Sequence, residues 1–361
     1  MSTIRRYTLP VEQTQWHIPG QFDTIFNWEY NDLRESLLTL YEKGKERQWN
    51  ASNRIDWSQD VDPENPIEIP DHYIAIYETP YWEKMTPKEK VKARHHFQSW
   101  QFSQFLHGEQ GALICTAKIV QSVPENDSKF YAATQVIDEA RHVEAYSRFL
   151  HDKLELAYPI TPTLKNLLND VITDSRWDIT YLGMQILIEG LALAAFGLIR
   201  DLAKNPLASS LNAYVMQDES RHVAFGRISL ADYYPQLSDH ERKQREEFVV
   251  EASYLMRDRF QGEEVWEQLG LPVKECCAYL DKSEIMQQYR KMLFTRIVPT
   301  IKHIGLWGPT VQKAYADMGV IDFCDIDVEG MMEQDDQYAI NLDAQKQEVA
   351  ATIALGRAAS A

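Results

Sequence analysis

Two copies of the pattern Asp-Glu-x-Arg-His lie 80 residues apart, at 138–142 and 218–222. Each copy holds a glutamate followed three residues later by a histidine, and another glutamate stands 30 residues before each of these glutamates. Four carboxylates and two imidazoles in two matching halves are the ligand inventory of a two-metal site inside a four-helix bundle. The six candidate ligands are Glu109, Glu139, His142, Glu189, Glu219 and His222.

The spacing of these residues predicts how the chain brings them together. Residues three apart lie on one face of a helix, so Glu139 and His142 can reach one metal ion, and the second copy repeats this arrangement. Turn sequences lie midway between the paired glutamates, at Pro124 and beside Asn205-Pro206. Residues equidistant from the tip of a helix hairpin lie at the same depth, here about 22 Å for about 15 residues. We therefore expect two hairpins that bring all six side chains to one centre.

The charge of this set indicates the kind of metal. Four buried carboxylates would raise one another's pKa, whereas two divalent cations cancel four negative charges. A carboxylate-rich site with one imidazole per ion suits iron or manganese, and iron with open positions suits oxygen chemistry. Zinc usually takes more His or Cys ligands per ion. We expect two iron ions, with a manganese–iron pair as the alternative. A single Glu-x-x-His is common on helices, so the inference depends on the repeat.

Composition and charge limit the other classes of function. The chain of 361 residues can form one large helical domain, and its net charge of −17 argues against nucleic acid and anionic membrane partners. Its four cysteines include no Cys-x-x-Cys pair, which argues against thiolate zinc and iron–sulfur sites. Reduced thiols and the start Met-Ser-Thr-Ile-Arg-Arg, with no apolar segment after it, predict a cytoplasmic protein.

Helix signals suggest a bundle flanked by two other segments. Thr86-Pro87-Lys88-Glu89 is a capping box with proline at the first helical position. The apolar stretch 182–199 is as long as a membrane span, but Glu189 near its centre predicts an interior bundle helix. We expect an N-terminal arm and short helix over 1–85, a metal-binding bundle with extra helices over 86–320 and an acidic C-terminal tail over 321–361. The short helix is expected at about 30–48, and further helices at about 86–122, 127–156, 174–203, 207–234, 238–260 and 283–302.

The repeated pattern resembles the catalytic subunits of the soluble bacterial multicomponent monooxygenases, diiron enzymes that oxidise methane, alkenes, phenol and toluenes. Gly108-Glu109 with Ala112 is similar to the first ligand helix of that family, and 40–57 is similar to its N-terminal stretch. The resemblance covers roughly residues 25–310. It implies an all-α, ferritin-like four-helix bundle with additional helices and a dinuclear metal site in the bundle core. It also implies activation of O2 and insertion of oxygen into a small-molecule substrate.

The resemblance assigns roles to individual residues. The first three candidate ligands would bind one iron and the last three the other. Asp138 and Asp218 would accept hydrogen bonds from the ligand histidines, whose second nitrogen must be held. Arg141 and Arg221 would neutralise these aspartates. Side chains one turn from a ligand could line a substrate pocket or act in redox chemistry, or could be ordinary core residues: Phe105, Ala112, Tyr146, Gln185, Ala192 and Phe196.

Partners follow from the same resemblance, and other functions stay open. The chain has no flavin, NAD or iron–sulfur motif, so a separate reductase or ferredoxin would supply electrons. Other hydroxylase subunits, an effector protein and an oligomeric state are also expected. The family's threonine after the third glutamate ligand is Leu193 here. Tyr146 lies at the offset of the radical tyrosine in the small subunit of ribonucleotide reductase. Related diiron oxidases such as N-oxygenases, a metal-storage protein and a non-catalytic partner subunit are the remaining alternatives.

Overall fold

The computed structural model describes residues 18–20, 22–30 and 34–359, and this part of the chain is α-helical without a β-strand. Residues 1–17 of the expected N-terminal arm lie outside the described residues, and they include the first six residues, on which the predicted cytoplasmic location partly rests. The end of the expected tail, at 360–361, also lies outside them. The α-helices are α1 Glu35–Glu46, α2 Ala51–Arg54, α3 Pro80–Lys84, α4 Pro87–Ser122, α5 Asn126–Phe149, α6 Pro162–Thr173, α7 Trp177–Thr180, α8 Glu189–Leu202, α9 Pro206–Tyr233, α10 Asp239–Asp258, α11 Glu263–Gln268, α12 Val273–Leu280, α13 Glu284–Met292, α14 Ile297–His303, α15 Pro309–Asp317 and α16 Val328–Ala359.

Two antiparallel helix hairpins form the centre of the molecule. Helices α4 and α5 pack as the first hairpin, and α8 and α9 pack as the second. The connections at 123–125 and 203–205 are short, as neighbouring antiparallel helices require, and they fall where the sequence predicts turns. The predicted all-α, ferritin-like four-helix bundle with additional helices is confirmed.

Local sequence fixes where the bundle helices begin. At α4, Thr86 accepts a hydrogen bond from the backbone of Glu89, whose carboxylate accepts in return from the Thr86 N–H at 2.8 Å. At α9, the side chain of Asn205 accepts from two N–H groups of the first turn, both at 3.1 Å. Proline follows each cap, where a missing N–H costs nothing. These caps set the register of the hairpins.

The third bundle helix is continuous from Trp177 to Leu202 and contains a π-helical segment, Tyr181–Ile188, between α7 and α8. By length and composition it could cross a membrane, but 83% of its apolar window is buried inside the protein. This is the interior position predicted for the stretch 182–199. The π-helical segment was not predicted; it ends at Glu189, and such segments are frequent at functional sites.

The outer helices close the bundle on several sides. Helix α1 packs on α5 and α9, and α10 packs against α6, the π-helical segment and α15. Within the stretch from 321 where we expected an acidic tail, α16 begins at Val328 and packs along α9. Buried Asp335 of α16 pairs with Arg200 at 2.8 Å and with Arg296 at 2.7 Å. The three-part division of the chain stays a prediction.

One predicted helix is wrong in detail. The segment 283–302 forms two helices, α13 and α14, with a turn between them. In that turn, the hydroxyl of Thr295 donates to the carbonyl of Met292 at 2.8 Å. The backbone N–H groups of Phe294 and Thr295 bond to carbonyls three residues back, at 2.9 and 3.1 Å, and form a turn that apolar periodicity does not reveal.

Candidate metal centre

Each of the four bundle helices contributes one glutamate to the interior. Glu109 and Glu139 come from the first hairpin, and Glu189 and Glu219 come from the second. The histidine of each Glu-x-x-His pair follows its glutamate on the same helix face. All six candidate ligands are buried, with an exposed fraction of 5% at most. The structure therefore brings together all the residues that the spacing predicts to meet.

The six candidate ligands form two overlapping groups. One consists of Glu109, Glu139, His142 and Glu219, and the other of Glu139, Glu189, Glu219 and His222. Within each group, one ligand atom from every residue lies within 4.8 Å of the others. The two groups share the glutamates of the Glu-x-x-His pairs, which can therefore bridge two ions, while each ion keeps one glutamate and one histidine of its own.

The distances around His142 are those of ligands around an ion. Its Nδ1 lies 3.2 Å from Oε2 of Glu109, 3.4 Å from Oε2 of Glu139 and 3.0 Å from Oε1 of Glu219. One N–H group cannot donate to three carboxylates at once. Two ligand atoms bonded to one ion at about 2.1 Å and at right angles lie about 3.0 Å apart. The geometry around His142 therefore fits coordination better than hydrogen bonding.

Unpaired atoms also fit a pair of cations. Among the described residues, Oε2 of Glu139, Oε2 of Glu189, both carboxylate oxygens of Glu219 and Nδ1 of His222 are buried without a hydrogen bond. A buried polar atom left unpaired costs about 1–3 kcal/mol. Two divalent cations would satisfy these atoms and balance the four carboxylates, so the cluster is a carboxylate–histidine metal site.

The pKa shifts describe the charge balance of the protein part of this site. Burial raises the pKa of Glu109 and of Glu189 well above the usual value, and the charge of Glu219 adds to the effect. Burial alone would lower the pKa of His142 and His222, but the surrounding carboxylates outweigh it and raise both. The cluster therefore retains protons that a binding cation must displace.

The outer nitrogen of each histidine faces the aspartate of the other repeat. Nε2 of His142 lies 3.1 Å from Asp218, and Nε2 of His222 lies 3.2 Å from Asp138. Because Nδ1 faces the carboxylate cluster, we assign the hydrogen to Nε2, which donates to the aspartate and fixes the ring. The sequence indicates that these aspartates serve the histidines, but it does not reveal that the pairs cross between α5 and α9.

Two arginines complete the crossed network. Arg141 donates to Asp138 and also to Asp218, the latter at 2.8 Å. Arg221 donates to Asp218 and lies 3.7 Å from Asp138. All four side chains are buried, so two positive charges cancel two negative ones away from water.

Sequence reasoning missed three residues that hold the centre in place. Gln48 donates to Asp138 at 2.7 Å, and the indole N–H of Trp49 donates to Asp218 at 2.7 Å. Both lie in the stretch 40–57 that resembles the N-terminal stretch of the multicomponent monooxygenases, and this resemblance was the sequence feature that could have indicated them. The third is Gln135, whose amide donates to Glu139 at 3.0 Å and to Glu189 at 3.1 Å. Its position one turn before Glu139 was the signal for it.

A small cavity adjoins the carboxylates. Its volume is about 30 Å³, and Glu109, Glu189 and Glu219 form part of its wall. Four of the predicted pocket candidates also line it: Phe105, Ala112, Ala192 and Phe196. The metal site is therefore bordered by a largely apolar cavity.

The other two pocket candidates lie elsewhere. The hydroxyl of Tyr146 donates to Asn212 at 3.0 Å, and rings of Phe102, Phe105 and Phe196 surround it. Burial raises the pKa of Tyr146 well above its usual value. Gln185 packs beside Gly226, and neither end of its side chain has a hydrogen bond among the described residues.

Comparison with known proteins adds one family match. The model of the family described as P-aminobenzoate N-oxygenase AurF matches residues 31–305, which include the six candidate ligands. The search of curated proteins gives no match. A solved R2-like ligand-binding oxidase with an aerobically reconstituted metal cofactor is 18% identical over 78% of this chain and 96% of that chain, with a TM-score of 0.49. A mutant of an R2-like ligand-binding oxidase with a Mn/Fe cofactor is 19% identical over the same shares, with a TM-score of 0.45.

Proposed function

The chain belongs to the AurF family, and we propose that it is an O2-activating oxygenase that inserts one oxygen atom into the amine of a small substrate. The proposal keeps the predicted monooxygenase reaction and names nitrogen as the atom that is oxidised. N-oxygenases were one of the alternatives to the multicomponent monooxygenases in the sequence analysis. The family description names p-aminobenzoate, an aromatic amine. We propose this class as the substrate of the present chain.

The observation that carries the proposal is the complete ligand set beside an apolar cavity. The six candidate ligands form two groups that share Glu139 and Glu219, and two ions held by these groups would share both carboxylates. The cavity meets the site at three of the glutamates. A site built only to hold metal has no need of an apolar surface for an organic molecule, so this pairing favours an oxygenase over metal storage.

When bound, two reduced iron ions supply electrons for cleavage of the O–O bond of dioxygen, and a manganese–iron pair is the alternative. The chain's own residues keep the site in position. Asp138 and Asp218 hold the histidine rings, and the amide of Gln135 ties two carboxylates from different hairpins. The walls of the cavity limit the access of water to the reacting groups.

The overall reaction requires an external source of electrons. One amine, one dioxygen, two electrons and two protons give one hydroxylamine and one water. We propose that a separate reductase or ferredoxin supplies these electrons. Effector proteins, further subunits, an oligomeric state and a cytoplasmic location belong to the same proposal.

An isotope experiment tests this function. Protein loaded with Fe(II) without oxygen is mixed with p-aminobenzoate, a chemical reductant and ¹⁸O2, and the product is analysed by mass spectrometry. We expect one ¹⁸O atom in the hydroxylamine, and no such product from a variant with Glu139→Ala and Glu219→Ala. Iron oxidation with unchanged amines would indicate metal storage. A persistent tyrosyl radical that is lost in Tyr146→Phe, without an oxygenated product, would indicate a radical generator.

A further inference from the structure

The cavity beside the metal centre is apolar apart from a few polar side chains. These are the three ligand glutamates, Gln104 and Arg259. Both ends of Gln104 are already used, because its amide donates to the carbonyl of Pro159 at 3.0 Å and its oxygen accepts from the N–H of Thr161 at 2.9 Å. Among the polar side chains of the wall, the glutamates face the metal site, and Arg259 is left to contact a bound molecule.

Arg259 directly follows α10 and is half-buried. Its Nε is buried without a hydrogen bond, and none of the ion pairs found among the described residues includes Arg259. Its guanidinium lies 4.8 Å from the centre of the Phe260 ring. Burial lowers the pKa of Arg259 to about 10, so it stays positively charged at neutral pH. The adjacent Arg257 instead pairs with Asp258 at 2.6 Å.

We propose that Arg259 binds a carboxylate of the substrate and thereby sets which end of the molecule faces the metal centre; this rests on the proposed function. The planar guanidinium can donate two parallel hydrogen bonds to one carboxylate. The apolar wall between Arg259 and the glutamates suits a ring or a hydrocarbon body. In a chain of net charge −17, a local cation is needed to hold an anion.

The cavity is small, and Phe260, the neighbour of Arg259, is also part of its wall. The cavity of about 30 Å³ holds little more than one water molecule. Phe260 also lines a second cavity, of about 60 Å³. The Phe260 ring packs edge-on to Tyr289 with 5.5 Å between their centres. An aromatic substrate is larger than the cavity beside the metal centre, so its binding requires side chains of the wall to move.

Binding without turnover tests the role of Arg259. Fe(II)-loaded protein is titrated by calorimetry in the absence of oxygen with p-aminobenzoate and with p-toluidine, in which a methyl group replaces the carboxylate. We expect the wild type to bind the acid at least about 10-fold more tightly, which is about 1.4 kcal/mol. Arg259→Gln should remove this preference and leave p-toluidine binding unchanged. Arg259→Lys should keep part of it, and the control Arg257→Gln should keep all of it.

Several results would overturn the proposal. They are no preference for the acid in the wild type, an undiminished preference in Arg259→Gln, or an equal loss of both ligands in that variant. Equal loss would indicate a structural role, and circular dichroism with metal analysis identifies unfolding. If the glutamine variant does not fold, a Lys variant with the full wild-type preference or none of it contradicts the proposal. The binding titration contains no oxygen and is independent of turnover. Failure to form an oxygenated product in the isotope experiment would therefore refute the proposed function but would not change the binding result.

Discussion

At the scale of single residues, the centre depends on side chains that do not touch the proposed ions. The aspartates orient the histidines, Trp49 and Gln48 hold the aspartates, and Gln135 joins two glutamates. Each of these groups is a hydrogen-bonding partner of a candidate ligand or of the residue that holds one. Partners of this kind commonly change metal affinity by about 10- to 100-fold when removed.

Asp218→Ala should weaken metal binding more than it changes the fold. The change leaves Nε2 of His142 without its acceptor at 3.1 Å and leaves two buried arginines undercompensated. We expect about 10- to 100-fold weaker iron binding, measured by titration of the metal-free protein with Fe(II). Asp317→Ala, which removes an exposed partner of Lys313, should bind iron as the wild type does. Equal affinity of the two variants would contradict the role of Asp218.

Trp49→Phe should lower stability because it leaves Asp218 with one hydrogen bond fewer in a buried network. We expect a loss of about 1–3 kcal/mol in the free energy of unfolding, measured by denaturant titration. The matched control is Trp28→Phe, since Trp28 is 83% exposed and should change little. A loss of similar size in both variants would show that the hydrogen bond to Asp218 is not the cause.

Sequence alone predicted which six candidate ligands lie together but not all of the residues that hold them. The glutamates and histidines lie at helical spacings in a repeat, so their convergence could be predicted from local geometry. Gln48 and Trp49 reach the centre from the segment after α1, 90 and 169 residues away from their partners. No periodicity links such distant residues, and their contacts follow only from tertiary packing.

At the scale of helices, caps and turns were predictable and changes of helix type were not. Thr86, Asn205 and the turns at both hairpin tips depend on neighbouring residues alone. The π-helical segment Tyr181–Ile188 lies where the third bundle helix packs against α9, α10 and α14. A helix of uniformly apolar residues carries no local signal for this change, and the apolar periodicity of 283–302 does not mark the break between α13 and α14.

Gly226→Ala tests the packing of α9 against the π-helical segment. A Cβ atom at this position would lie 2.7 Å from the Cβ atom of Gln185, so one helix must shift. We expect destabilisation by about 1–3 kcal/mol in a denaturant titration. At Gly108 an added Cβ meets nothing within 4 Å, so Gly108→Ala should instead stabilise α4 by about 0.5–1 kcal/mol. Unchanged stability of Gly226→Ala would show that the contact is loose.

At the scale of the whole molecule, the site joins all parts of the fold. Four bundle helices supply the candidate ligands, the segment after α1 holds the crossed aspartates, and α16 packs along α9, where the Ser220 hydroxyl donates to buried Asp335. The acidic composition of this last segment suggested a tail. Composition does not reveal that buried Asp335 pairs with two arginines of other helices. A metal pair at the centre should therefore stabilise the entire chain.

Metal removal should lower the thermal stability of the molecule as one unit. Ions that bind only the folded state add stability through mass action, and the buried carboxylates lose their counter-charge without them. We expect a lower Tm by calorimetry after chelation of iron under reducing conditions, with recovery when Fe(II) is returned. A variant with Glu139→Ala and His222→Ala should show no metal-dependent change. An iron-dependent change of wild-type size in this variant would place the stabilising metal elsewhere.

The number of ions held by the six candidate ligands tests the central claim most directly. Fe(II)-loaded, desalted protein is analysed for iron per folded chain by plasma mass spectrometry, with folding checked by circular dichroism. We predict two ions per chain in the wild type, since two overlapping ligand groups are present. A variant with Glu109→Ala and Glu189→Ala, which removes the unshared carboxylate of each group, should fall well below two. Two ions in that folded double variant, or none in the wild type, would contradict the account.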